Sequence, residues 1–326
     1  MKKIIVISVL FGVLTGALFA QVTLGGELYT GVTLDIPPEG DESIGVNHRE
    51  KGNTILELTA TVNKDRFGAK LDTSFIKQPT DFFRLNGIYG WTYFLDKQIR
   101  LSLGDISDAA WVTTLDNEYH LDDVAGFRLE YKTPLPGLGV GAAFDAGDYT
   151  MKKFFKQVVF GANYVHALFN TVAAYDLGSN ANLIFGFNFT GIDQLSIAGI
   201  ELKGSNLALW EKMGSLIIDE EVGYQVTREL TAVLHLGQSF YGNTENDPGF
   251  LFRPGVRYRI LTPLTAFLDL EFGSEDGFKT TDMAVHPWIE YSLGNLGLLY
   301  LEYKVSLPEM KKPAHTIGIG MEIKAF

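Results

Sequence analysis

The sequence predicts an all-β fold: a transmembrane, antiparallel, up-and-down β-barrel of about 18 strands, with 16 strands also compatible. Three observations lead to this prediction. Apolar and polar residues alternate along most of the chain, short and long connections alternate between these segments, and the chain opens with an export signal. Alternation with a period of two gives each strand one apolar and one polar face.

The stretch from 252 to 273 shows the alternation most clearly. Its first half carries apolar Phe252, Pro254, Val256, Tyr258 and Ile260, with Arg253, Arg257 and Arg259 between them. After a turn at 261–263, its second half carries Leu264, Ala266, Leu268, Leu270 and Phe272, with Asp269 and Glu271 between them. This is the pattern of a hairpin that places arginines near carboxylates on the next strand. A soluble β-sandwich and a transmembrane barrel both explain one such hairpin.

The connections along the rest of the chain favour the barrel. Short connections are expected near 64–66, 96–98, 133–137, 167–169, 191–193, 227–229, 261–263 and 294–296, and most of the others are longer and rich in Gly, Asp, Asn and Pro. An up-and-down barrel with both chain ends on one side predicts this alternation, whereas a Greek-key sandwich does not. Strands of about 9–11 residues also match a tilted crossing of the hydrocarbon core.

The first 20 residues read as a secretory signal peptide, because Lys2 and Lys3 precede an uncharged apolar run that ends at Ala20. We therefore predict a barrel domain over 21–326. That domain holds 25 basic and 39 acidic residues, a net charge of −14, which argues against nucleic acid as a partner. The chain has no cysteine, so we expect neither disulfides nor thiol chemistry.

Over nearly the whole mature chain, this pattern resembles bacterial outer-membrane β-barrels, and among them the porins. The terminal Phe326 is similar to the signal that this family presents to the barrel-assembly machinery. The resemblance implies an integral protein of the bacterial outer membrane, in contact with its lipid, that passes small hydrophilic solutes or ions passively. It implies no cofactor, and it leaves open a homo-oligomer.

Two positions depart from the pattern. Ile317, Ile319, Met321 and Ile323 alternate on the opposite parity to Phe326, which predicts a bulge or an early end in the last strand. Glu220 shares the phase of apolar Ile218 and Val222. Because a carboxylate facing lipid at mid-depth is unfavourable, we expect a register shift there.

An acidic segment between the fifth and sixth predicted strands is the first candidate functional site. In general porins the loop at this place narrows the pore, so the resemblance implies a constriction formed by Asp105, Asp108, Asp116, Glu118, Asp122 and Asp123. The opposing positive side would be supplied by the predicted pore-lining arginines Arg84, Arg100, Arg128, Arg253, Arg257 and Arg259. Opposed charges across a narrow aqueous gap select solutes by charge. The alternative is a solvated external loop, with the arginines paired to the other predicted pore-lining residues, Asp269 and Glu271.

The aromatic residues are expected mainly in girdles at the two membrane interfaces. The candidates are Tyr89, Trp91, Tyr93, Phe252, Phe272, Trp288 and Tyr291. No inward-facing run of aromatic residues is evident from the sequence, so a sugar-binding track along the lumen is not favoured.

Other classes of function have less support. The six histidines are scattered and none has metal-ligand spacing, and no serine lies in a nucleophile-elbow context, so we expect no catalytic or metal site. The alternatives to a general channel are a substrate-selective channel and an outer-membrane adhesin or structural barrel with surface-exposed loops.

Overall fold

The chain forms one closed antiparallel sheet. The computed structural model describes residues 21–49, 51–76, 82–107, 124–145, 158–177, 182–243, 246–274, 277, 279–308 and 312–324.

The first half of the barrel contains β1 (Gln21–Ile36), β2 (Ser43–Gly45), β3 (Ile55–Lys64), β4 (Phe67–Ile76), β5 (Phe83–Phe94), β6 (Ile99–Ile106), β7 (Val124–Lys132), β8 (Leu138–Asp145), β9 (Val158–Val165) and β10 (Phe169–Asp176). The second half contains β11 (Leu183–Phe189), β12 (Leu195–Ser205), β13 (Ser215–Gln225), β14 (Leu230–Tyr241), β15 (Gly249–Leu261), β16 (Leu264–Ser274), β17 (Asp282–Ser292), β18 (Gly297–Leu307) and β19 (Ala314–Lys324). A single-turn helix α1 (Trp210–Met213) follows the 3₁₀ turn Leu207–Leu209, and a second 3₁₀ turn spans Gly294–Leu296.

Each strand pairs with its neighbours in the chain, and β1 pairs with β19 to close the ring. Strand β1 is long enough to pair with β3 along its first half and with the three-residue β2 near its end. Setting β2 aside, the wall has 18 strands, as the sequence predicts. Within the described residues, no helix has the length and apolar character needed to cross a membrane.

The alternation gives the wall an apolar outer face. Large apolar side chains such as Leu24, Leu103 and Phe160 are more than half exposed there, at 63%, 56% and 51%. On the inner face, polar and charged side chains contact one another across strands, as in the ion pair between Arg49 and Glu290. This distribution is the reverse of a soluble protein and is typical of a barrel whose outer face meets lipid.

The eight short connections lie where the sequence predicts them, at one end of the barrel. They fall between consecutive strands from β3–β4 round to β17–β18, and the longer connections alternate with them. In the β5–β6 turn, Leu95, Asp96 and Lys97 all have left-handed backbone conformations, with φ of 46°, 51° and 68°. Such φ values are uncommon outside glycine, so this tight turn is a locally strained one.

The structure contradicts the register shift expected at Glu220. The pairing of β13 with β14 is continuous from Ser215 to Gln225, and Glu220 lies opposite Leu236 on the outer face. The Glu220 carboxylate therefore keeps the outward phase that its position in the alternation gives it.

The last strand likewise has no bulge between Ala314 and Lys324, and Phe326 lies outside the described residues.

Candidate pore lining

Two of the predicted arginines form a compact cluster on the inner face of β6 and β7. Arg128 donates through Nε to Oε1 of Glu130 at 2.8 Å, and Nη1 of Arg100 lies 3.8 Å from the same oxygen. The guanidinium of Arg100 also lies over the ring of Trp91, 5.0 Å from its centroid. The carboxylate of Glu130 thus contacts two guanidinium groups, and the ring of Trp91 covers that of Arg100.

This cluster is packed into the wall. The side chain of Arg128 is 0% exposed, and neighbouring inner-face Ser102 and Ile106 are also fully buried. A fully buried guanidinium needs its carboxylate partner, because an unpaired charge away from water is costly. Arg128 is therefore a structural member of the wall, whereas Arg100 retains partial exposure toward the lumen.

A second set of charged residues lies on the inner face of β13 to β15. Arg253 contacts Nδ1 of His235 at 2.6 Å, and Nε2 of His235 lies 3.4 Å from Oδ1 of Asp219. Nη2 of Arg257 lies 3.5 Å from Oε1 of Glu221, and the Arg257 side chain remains 41% exposed. Away from the barrel ends, Arg257 is therefore the predicted arginine that combines an inner-face position with substantial access to solvent.

The predicted carboxylates of β16 lie on the same face but do not pair directly with these arginines. Asp269 is opposite Gly255, and its carboxylate occupies the space that a Cβ at that glycine would need. Glu271 pairs with Lys304 at 3.8 Å, and on the next strands His286 lies 3.2 Å from Glu302. The inner wall from β13 to β18 is therefore a band of mixed charge in which opposite signs lie side by side.

The two sets face each other across the barrel. In the ring of 18 wall strands, β6 and β15 are separated by the same number of strands in both directions, so they are diametrically opposed. Arg100 and Arg128 lie on one side and Arg253 and Arg257 on the other. The predicted arginines thus do not occupy a single side of the lumen.

The remaining predicted residues lie at the ends of the barrel or outside the described part. Arg84 is exposed next to Ser74 near the long-loop end, and Arg259 is exposed at the opposite end, where Nη2 donates to the backbone oxygen of Arg228. Asp105 pairs with Ile88 and Ala125 near the end of β6. Asp108, Asp116, Glu118, Asp122 and Asp123 lie outside the described residues, so the constriction remains a prediction.

Several aromatic residues expected in the girdles lie instead on the inner face. A bulge at Asn86 shifts the register of β5, so that Leu85 faces outward while Tyr89, Trp91 and Tyr93 face inward. Trp288 also faces inward, and its ring stacks on Phe267 with centroids 4.6 Å apart and planes 6° from parallel. The expectation that these four residues contact lipid is wrong, and the lumen has aromatic surface on both sides. By contrast, Phe252, Phe272 and Tyr291 lie on the outer face, as expected.

An inward-folded segment between β2 and β3 was not predicted from the sequence; its described residues are 46–49 and 51–53, and it is called the segment 46–53 below. His48 is 1% exposed and lies edge-on between the rings of Tyr29 and Tyr300, with centroids 5.3 Å and 5.4 Å away, and its Nε2 is 3.3 Å from Glu322. The adjoining Arg49 reaches across to β17, where Nη2 lies 2.6 Å from Oε1 of Glu290.

The surroundings of His48 disfavour its charged form. Burial lowers the pKa of His48 to about 4, and the nearby cations Arg49 and Lys51 act in the same direction. The histidine is therefore neutral at physiological pH, and this neutral ring is what packs between the two tyrosines.

Two paired glycines leave room for this arrangement. Gly31 of β1 lies opposite Gly320 of β19, and a Cβ on either would collide with the hydroxyl of Tyr300. That hydroxyl accepts a hydrogen bond from the backbone N–H of Arg49 at 3.0 Å. Glycines at inner-face positions of adjacent strands were the signal in the sequence that a segment packs against this part of the wall.

No cluster of three or more residues able to hold a metal ion occurs in the described ranges. Charged side chains of the inner wall form ion pairs both within a strand, as between Arg128 and Glu130, and between strands, as between Arg257 and Glu221. The arrangement can contact water and polar solutes along the lumen.

Comparison with known proteins gives matches in structure but not in sequence. No protein-family model and no curated protein matches the chain. A multiply substituted porin of Rh. blastica aligns with a TM-score of 0.52 at 11% identity, covering 93% of this chain and 100% of that one. An engineered protein described for asymmetric conductivity aligns with a TM-score of 0.55 at 12% identity, over 93% and 100% of the two chains. In-vitro folded OmpT, an outer membrane protein of Vibrio cholerae in a trimer form, aligns with a TM-score of 0.50 at 12% identity, over 94% and 99%. The chain therefore has the closed-barrel fold of outer-membrane porins.

Proposed function

We propose that this barrel is a porin-like channel of a bacterial outer membrane that passes small hydrophilic solutes by passive diffusion. The observation that carries the proposal is the contrast between an apolar, exposed outer wall and an inner wall with charged side chains on opposite sides. An 18-stranded barrel is wide enough to enclose water beyond its own side chains. The half-exposed Arg257 supports the proposal, because a fixed charge on this wall is accessible to solvent.

The constriction belongs to the same proposal. Five of its six carboxylates lie outside the described residues, and the supporting argument is the resemblance together with the acidity of the segment. Insertion by the assembly machinery through Phe326 and export by the signal segment at 1–20 complete the proposed route to the outer membrane.

The test is conductance of the refolded mature chain in a planar bilayer under a salt gradient. Stable, stepwise currents are expected, with a reversal potential that reports the balance of the mixed-charge wall. A properly folded barrel without current would contradict the channel and favour the adhesin or structural alternative. Folding is checked independently by heat-dependent electrophoretic mobility and β-sheet circular dichroism.

A substrate-selective channel is the second candidate, and the inward aromatic residues favour it. The Trp288–Phe267 stack lies on β16 and β17, and Trp91 lies on β5 across the lumen. Aromatic faces next to charged groups provide stacking and hydrogen bonding together, which suits solutes with a flat apolar face and polar edges. Concentration-dependent block of the current by such solutes, lost in Trp288→Ala, would distinguish it from a general channel.

A further inference from the structure

A recess of about 440 Å³ lies at the short-turn end of the barrel, between the β5–β6 turn and the β7–β8 turn. Side chains of β5, β6 and β7 and of the two turns line it, and Gly139 of β8 contributes no side chain there. Its volume lies within the range of ligand-binding clefts in proteins. The recess, named here the turn recess, is distinct from the mixed-charge wall of β13 to β18.

Cations predominate among the charged residues of the turn recess. Lys97, Arg100 and Lys132 line it together with one carboxylate, Glu130. That carboxylate is already engaged, because it accepts a hydrogen bond from Arg128 at 2.8 Å. The mature chain carries a net charge of −14, so a positive recess is a local exception to its overall charge. Such a recess attracts acidic partners.

Lys132 is the cation of the turn recess that is available for a new contact. It is exposed, and its side chain has no ion pair or hydrogen bond within the part of the chain that the structure describes. It shares the inward phase of Glu130 on β7, and the position opposite it on β8 is Gly139, which has no side chain to cover it. The ammonium group of Lys132 can therefore pair with an acidic group from outside the chain.

The β5–β6 turn holds Lys97 beside the turn recess in a strained conformation. Leu95, Asp96 and Lys97 all have positive φ, which is uncommon for residues with a side chain. Lys97 pairs with Asp65 at 2.7 Å, but both side chains are more than half exposed, and exposed pairs of this kind are weak. Backbone strain is typically retained where it positions a group for function.

The β7–β8 turn presents an apolar side chain next to these cations. Leu135 lines the turn recess and is 56% exposed. Its backbone N–H donates to Oγ1 of Thr133 at 3.2 Å, and this hydroxyl donates to the backbone oxygen of Leu138 at 3.1 Å. Pro134 and Pro136 flank Leu135 and restrict the backbone further. The apolar group is thus held in a fixed place before any partner binds, which lowers the entropic cost of binding.

We propose that the turn recess is a docking site for an acidic segment of a second, soluble protein on the short-turn side of the barrel. A carboxylate of that segment contacts Lys132 and Arg100, and an adjacent apolar side chain packs on Leu135. A small anion uses the cations alone and leaves Leu135 exposed, whereas a peptide segment with both groups covers both. Charge complementarity gives the contact its specificity. The docking does not depend on whether the lumen conducts.

The test is binding of a fluorescein-labelled peptide to the barrel folded in phosphatidylcholine nanodiscs. The probe is a ten-residue peptide in which glutamate and leucine alternate, and the control peptide has glutamine in place of glutamate. Fluorescence anisotropy at low salt should show saturable binding that is at least fivefold tighter for the glutamate peptide. Nanodiscs without protein report any binding to lipid.

Three substitutions locate the binding. Lys132→Glu should weaken the affinity for the glutamate peptide at least fivefold, because it reverses the available charge. Arg259→Glu is the matched control, since it makes the same charge change at the same end of the barrel but on the opposite side, and its effect should stay within twofold. Leu135→Ser should weaken the affinity at least threefold. Heat-dependent electrophoretic mobility confirms that each variant has folded.

Several results would overturn the proposal. Absence of binding, or unchanged affinity in a folded Lys132→Glu variant, would reject the docking site. Equal losses in Lys132→Glu and Arg259→Glu would show general electrostatic attraction instead of a defined recess. Displacement of the peptide by acetate, combined with unchanged affinity in Leu135→Ser, would show a site for small anions. Conductance of the same preparations tests the channel separately, so failure of one proposal is distinguishable from failure of the other.

Discussion

Charge reversal at Arg257 gives the sharpest test of which inner-wall residues contact the permeating ion. Arg257→Glu changes the local charge by two units and places the new carboxylate next to Glu221. For an ion that passes about 8 Å away, Coulomb's law in water gives about 0.5 kcal/mol per unit charge, and screening at 0.1 M salt leaves about half of this. The two-unit change therefore favours a cation by about 0.5 kcal/mol and disfavours an anion equally. The cation-to-anion permeability ratio should rise about fivefold.

Arg259→Glu is the matched control, because it makes the same nominal charge change two residues along the same strand. Arg259 is exposed at the barrel end and donates to the backbone of the β13–β14 turn. The salt solution at the barrel end screens this position more strongly, so we expect a change of less than about twofold. Both ratios come from reversal potentials under a tenfold salt gradient. An equal or larger effect of Arg259→Glu, or no effect of Arg257→Glu, would refute the placement of Arg257 beside the ion path.

Three further predictions concern the packed parts of the inner face. Arg128→Ala should lower the free energy of unfolding by about 3 kcal/mol in urea titrations, since it removes a buried partner of Glu130, and an unchanged midpoint would count against the structural role. The lowered pKa of His48 means that docking of the segment 46–53 is fully stabilised above about pH 6.5 and loses stability as the pH falls toward 4. Protease cleavage within this segment should therefore increase as the pH falls over that range. The variant His48→Phe should remove this dependence of cleavage on pH. Gly320→Ala should displace the Tyr300 hydroxyl and cost about 1–3 kcal/mol, with increased cleavage of the same segment at pH 7.5; cleavage at the wild-type rate would contradict the close fit.

The wall could be predicted from the sequence because its physical cause is local. Each strand must turn apolar side chains to one face, and a turn of two to five residues forces the next strand to run back beside it. The strand count and all eight short connections follow from these two constraints. Even strands with weaker alternation, such as β10 and β12, are fixed by the pairing of their neighbours.

The inner aromatic residues were misplaced because one extra residue inverts a period of two. Phe83 and Leu85 share their parity with Tyr89 and Trp91, so the sequence reads as one continuous apolar face. The bulge at Asn86 divides that face between the outside and the lumen. The signal was apolar Ile88 at a polar position of the repeat, but one such residue does not specify a bulge.

The docked segment 46–53 and its ion pairs could not be predicted because they join residues far apart in the chain. Arg49 contacts Glu290 and His48 contacts Glu322, and no local pattern specifies either contact. The direction of Glu220 was predicted incorrectly for a different reason. We assumed that a carboxylate is excluded from outward positions in the middle of a strand, but continuous pairing with β12 and β14 fixes Glu220 in the outward phase.

The seam between β1 and β19 bears on how the barrel can form. It joins Glu27 to Lys324 and continues to Ile36 opposite His315, so the last strand of the chain completes a ladder that the first strand begins. Closing it carries the largest loop-closure entropy of any strand pair, which makes it the expected final step of folding. Residue 21 extends six residues beyond Glu27, the partner of Lys324, toward the short-turn end, a distance of about 20 Å along β1. A circular permutant whose linker spans this distance should still close. If the new chain ends were placed between β12 and β13, the final closing step would instead be the pairing of these two strands, on the other side of the barrel.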